Sequence, residues 1–102
     1  MSRRYQLTEP AQRHVEDIGA FIAQDSVEAA LKVLDALEAA FELLADQPGI
    51  GHTREDLTEK PVKFWSVYSY LIVYDPATRP LTVLAILHGA RDLTRVLKAP
   101  SD

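Results

Sequence analysis

The side chains with chemistry to offer gather toward the end of the chain, where His88, Arg91, Arg95 and Lys98 fall within eleven residues. Guanidinium forks and an imidazole so close together can hold a phosphate or an acidic partner through charge-assisted hydrogen bonds. RNA cleavage would ask more of them: a general base near the 2′-hydroxyl, an acid for the leaving oxygen, and cations for the developing phosphorane charge. His88 and the arginines could in principle fill those roles. The competing reading is structural, because Arg91 beside Asp92, just after Gly89, also suits an ion pair and a helix cap.

Other chemistries find little support. The histidines His14, His52 and His88 show no pair at metal-ligand spacing, and the chain has no cysteine, so neither a metal site nor a thiol nucleophile is expected. Gly49-Ile50-Gly51 lacks the Lys and Ser/Thr of a phosphate-binding loop and reads as a helix stop. No cofactor is implied. Trp65, Tyr68, Tyr70 and Tyr74 form the other conspicuous group, amphipathic rings that serve in cores and at protein interfaces alike, with the core as default.

The elements that must position these residues follow from periodicity. Arg3 to Leu7 reads as a short first strand, and Thr8 is a helix N-cap with Pro10 in the first turn. Ala11, Val15, Ile18 and Ile22 then mark an amphipathic helix ending near Gln24. Asp25 or Ser26 caps a second helix with Ala30, Leu34, Leu37, Phe41 and Leu44 on one face, stopped by Pro48-Gly49. So short a break forces an antiparallel hairpin. Phe41 is placed between that hairpin and the second half of the chain.

Val62 to Val67, Tyr70 to Tyr74 and Leu81 to His88 are rich in β-branched and aromatic residues and read as strands. Alternation sends Tyr70, Ile72 and Tyr74 to one face and Leu71 and Val73 to the other, with Asp75 to Pro80 as the next turn. The middle strand is apolar on both faces and is placed centrally in an antiparallel meander. Gly89 is expected to supply an unusual backbone angle, and Asp92 to cap a short helix through Leu97. The fold class is α+β: an N-terminal strand, an antiparallel two-helix hairpin packed on a small, mostly antiparallel twisted sheet in the order β-α-α-β-β-β, and a short C-terminal helix.

Length and charge bound the function. At 102 residues the chain is read as one domain, 1–102, with enough core to fold without disulfides. Its net charge is −4, and residues 1–51 carry four basic and nine acidic side chains against seven and six in residues 52–102. An acidic chain of this kind is a poor candidate for direct nucleic-acid binding, which favours a clustered basic face. No apolar run approaches the length of a membrane span or a signal peptide, so no membrane partner and a cytoplasmic location are expected.

Three segments in order carry a resemblance: Phe41-Glu42-Leu43-Leu44-Ala45-Asp46-Gln47-Pro48-Gly49-Ile50-Gly51, then Lys63 to Tyr74, then Leu87-His88-Gly89-Ala90-Arg91-Asp92-Leu93. In this the chain resembles the ParE branch of the RelE/ParE superfamily of bacterial toxin–antitoxin systems, over nearly its whole length. The resemblance implies the toxin of a type II system, held in a hetero-oligomer by a ParD-like antitoxin, that inhibits DNA gyrase by protein binding and is not an enzyme. Its target-binding edge is expected at Trp65, Arg91 and Arg95, supported by His88, Gly89 and Asp92.

RelE-like relatives are ribosome-dependent mRNA endoribonucleases, and this sequence departs from them. Leu93 to Asp102 contains no Tyr, and Tyr70 stands where that branch tends to place an Arg. One departure is from the ParE pattern itself: Ala85 occupies a strand position where relatives often carry a basic residue. Two alternatives are therefore weighed beside gyrase inhibition: a RelE-type endoribonuclease, and a non-toxic module kept for antitoxin binding.

Overall fold

Two hydroxyl side chains start the two helices. In the computed structural model, which describes residues 4–89, Thr8 accepts a hydrogen bond from the Ala11 amide at 3.2 Å and Ser26 from the Ala29 amide at 3.0 Å. Each satisfies one of the free donors at a helix N-terminus, an effect of about 1 kcal/mol. Of the two caps weighed for the second helix, Ser26 is the one used. Strand β1 (Tyr5–Leu7) leads into α1 (Glu9–Ala23), and α2 (Val27–Asp46) follows after the short loop.

The apolar spacing then decides what each helix buries. In α2, Ala30, Leu37, Ala40, Phe41 and Leu44 are buried, the face marked by periodicity. In α1 the buried positions are small, Ala11 and Gly19, with Val15 and Ile18 half-buried against the core. A Cβ at Gly19 would lie 3.2 Å from Leu34 Cδ1, so the missing side chain lets the two helices approach closely.

After α2 the chain turns through one 3₁₀ turn (Pro48–Ile50) and an irregular loop to β2 (Lys63–Val67), β3 (Tyr70–Asp75) and β4 (Leu81–His88). The sheet order is β1-β4-β3-β2, with β1 parallel to β4 and the other pairs antiparallel. The architecture is α+β, as the sequence leads one to expect, with two internal strands: β4 shares the centre with β3 because β1 returns to pair with it. The first strand is also shorter than the expected Arg3–Leu7.

Tyr74, Ile72, Leu81, Val83 and Ile86 join Leu37, Phe41 and Leu44 in one core between hairpin and sheet. Phe64 and Leu71 are buried outside that cluster, on the opposite face, in keeping with strand alternation. A bulge lies between the pairs Val73↔Ala85 and Tyr74↔Val83, so Leu84 is the extra residue. It shifts the alternation and lets Val83 and Ile86, three apart, both face the core.

A candidate target-binding edge

The end of the sheet where β2 and β3 meet and β4 finishes holds the described part of the expected site. Trp65 pairs with Ile72 and Val67 with Tyr70, while Tyr70 pairs in turn with His88. Trp65, Val67, Tyr70 and His88 therefore share the core-side face and line its rim. Trp65 is half-buried and its ring lies parallel to that of His52, centroids 6.3 Å apart with planes 10° apart. His88 meets Tyr70 edge to face, with centroids 5.5 Å apart. The imidazole is thus held against an aromatic wall.

Gly89 supports this edge in a different way from the one expected. No described glycine has a positive φ, so Gly89 does not provide an unusual backbone angle. Its amide donates to the Ser69 carbonyl at 2.7 Å, and a Cβ at Gly89 would lie 3.1 Å from that same oxygen. Close backbone approach, not conformation, is what the small residue permits here. Arg91, Asp92 and Arg95, with the expected C-terminal helix, lie outside the described residues; of the other three site positions, His88 and Gly89 are consecutive at the end of β4, while Trp65 is two strands away on β2.

His14 and Tyr74 tie the sheet to the helices and the turn after α2 through partners that the sequence did not indicate. The Ile86 amide donates to His14 Nδ1 at 3.1 Å, joining α1 to β4 beyond the point where β1 ends. The Tyr74 hydroxyl accepts from the Gly51 amide at 3.0 Å and donates to the Pro48 carbonyl at 2.7 Å. Burial pushes the Tyr74 phenol above its usual range, and the Gly51 hydrogen bond partly opposes that shift. Neither partnership has a local sequence signal, since each joins residues far apart in the chain.

The arginines among the described residues are engaged elsewhere. Arg4 pairs with Asp46, Arg13 with Glu9 at 2.7 Å, and Arg54 grips Asp56 through two bonds of 3.0 and 2.9 Å. Arg79 donates to backbone carbonyls of its own turn. Strands β2, β3 and β4 carry Lys63 and His88 and no arginine. Among the described residues no group of three or more His, Cys, Asp or Glu could hold a metal, and no helix is long and apolar enough to cross a membrane.

The sequence from residue 5 to 93 matches the family model described as ParE toxin of type II toxin-antitoxin system, parDE. The chain belongs to the ParE toxin family. Its fold also matches a solved chain of the "Chromosomal ParDE TA system from P. aeruginosa", with a TM-score of 0.66 and 17% identity, covering 82% of this chain and 92% of that one. At that identity the likeness speaks for the ParE-like fold alone. No curated protein sequence matches the chain. In this ParE-family chain, Trp65, His88 and Gly89 are the members of the expected target edge that lie among the described residues.

Proposed function

We propose that this chain is a toxin that acts by binding a protein target, DNA gyrase, in the cytoplasm, and that a ParD-like antitoxin holds it inactive in a hetero-oligomer. The observation that carries the non-enzymatic part of this reading is the sheet itself. Its strands β2, β3 and β4 present one lysine and one histidine and no arginine, while Arg4, Arg13 and Arg54 are tied to carboxylates. On the described strands, phosphoryl transfer would have no arginine to stabilise its transition state.

Partner binding has support of its own. Phe21, Val27 and Leu31 are exposed near the loop end of the helical hairpin, apolar surface that an antitoxin segment can cover. Trp65, Arg91 and Arg95 are assigned to target contact, with His88, Gly89 and Asp92 shaping the edge. Replacing Arg91 and Arg95 by Ala should relieve growth arrest and leave the thermal midpoint of the domain unchanged; undiminished toxicity would remove that assignment.

The target is tested by inducing the toxin alone. Gyrase inhibition is expected to produce DNA breaks and a DNA-damage response, with translated mRNA left intact. Codon-linked cuts in mRNA would instead establish the endoribonuclease reading, and complex formation with antitoxin but no growth arrest would establish a non-toxic binding module.

A further inference from the structure

Helix α2 carries one row of exposed side chains at spacings of four, four, three and four: Val27, Leu31, Asp35, Glu38 and Glu42. At those spacings they share one outer face. Two aliphatic side chains, 63% and 57% exposed, occupy the end nearest the loop, and three carboxylates follow them. Gly19 packs against Leu34, which brings α1 alongside this row. Glu16 and Ala23, one turn to either side of Gly19, fall on the same side of α1 and form the margin of the row.

A solvated face is the simplest account of such a row, and the charges argue against it. Exposed helix faces commonly alternate the two signs, so that pairs four residues apart support the helix. Here residues 16–42 carry seven acidic side chains and a single base, Lys32, which sits 4.0 Å from Glu28. Among the described residues none of Glu16, Asp35, Glu38 and Glu42 forms an ion pair. Glu38 and Glu42 repel each other across one turn. The row also grows more acidic toward the negative end of the helix dipole, with no base in the last turn. By itself α2 gains nothing from this charge, whereas cations brought by another chain relieve it.

The same charges choose among occupants. A phosphate backbone is repelled. A second copy docking through this face would set identical carboxylates against these, so self-association is opposed as well. The complement is a protein segment with apolar residues at one end and basic residues at the other. From Val27 to Glu42 the row is about 22 Å long, which matches a helix of about four turns laid along it. We infer that the outer face of α2 seats a basic amphipathic helix of the antitoxin, its apolar end on Val27 and Leu31 and its lysines or arginines on Asp35, Glu38 and Glu42. The inference rests on the toxin–antitoxin reading above and adds to it the place and chemistry of one contact.

The test measures the affinity of full-length toxin for the product of the reading frame adjoining its gene. Wild type is compared with L31S, with the double substitution E38Q and E42Q, and with the reversal E38K and E42K. The glutamine pair should raise the dissociation constant on the order of tenfold and flatten its dependence on salt. L31S should weaken binding by about tenfold with the salt dependence kept. The glutamine pair removes a like-charge repulsion, so its unfolding temperature should equal or exceed that of wild type. Unchanged affinity of the glutamine pair overturns the inference, as does a loss of affinity accompanied by a fall in its unfolding temperature. Tighter binding by the lysine pair would assign the face to an acidic segment, and a wild-type dimer broken by L31S would assign it to a second copy; either result overturns the inference. Failure of wild type to bind the adjoining product would instead overturn the antitoxin reading itself.

Discussion

Tyr74 joins two parts of the molecule with one side chain. Its ring is fully buried in the core, while its hydroxyl ties down the turn after α2 through Gly51 and Pro48. Burial favours the neutral phenol, so its folded pKa lies above the ordinary 10.0. The stability this contributes is present below the unfolded pKa and is lost as pH rises through the folded value. Urea midpoints should therefore fall above pH 10.0, more steeply for wild type than for Tyr74→Phe. The same contact makes two neighbouring glycines unequal. A Cβ at Gly51 would collide with the Tyr74 hydroxyl and come within 2.9 Å of two ring carbons, whereas a Cβ at Gly49 meets nothing within 4 Å. Gly51→Ala should cost about 1–3 kcal/mol in denaturant unfolding and Gly49→Ala close to nothing.

At the scale of elements, β1 is too short for its partner. It pairs with Leu81 to Val83 and stops, leaving the rest of β4 without a strand on that side. Side chains from the start of α1 take over: the Thr8 hydroxyl donates to the Leu84 carbonyl at 3.0 Å and His14 accepts from the Ile86 amide. Thr8 thereby caps a helix and covers a strand edge at once. Thr8→Ala should cost about 1–2 kcal/mol, since it removes the cap and leaves a carbonyl unpaired. In His14→Ala the Ile86 amide loses its acceptor, and its hydrogen exchange should rise well above that of the neighbouring amides of β4. Unchanged exchange at Ile86 would show that the imidazole does not seal this edge.

For the whole molecule, Phe41 is where hairpin and sheet meet. It is 4% exposed, and its ring lies 5.3 Å from that of Tyr5 on β1. Phe41→Ala should cost about 3–5 kcal/mol in equilibrium unfolding, and a near-neutral result would show that the two layers do not depend on this contact. Periodicity and caps made the layers themselves legible. Thr8, Ser26 and the four-three spacing of Ala30, Leu34, Leu37, Phe41 and Leu44 mark both helices, and β-branched runs mark Leu81 to His88 to the residue. These signals are local: each comes from a few consecutive residues and the hydrogen bonds among them. Trp65 and His88 were grouped through the family resemblance, and the strand register puts both on the core-side face of the sheet.

What the tertiary structure decided depends on contacts between distant residues. The return of β1 to pair with β4, the bulge at Leu84, the His14–Ile86 bond across 72 positions and the Tyr74–Gly51 bond across 23 have no signature in any short window of sequence. Gly89 shows the difference in one residue, since its type announced a special position while only the nearness of the Ser69 carbonyl determined which kind. Local chemistry settles which segments become helix and strand; their partners are chosen by the shared burial of apolar faces, a property of the assembled chain.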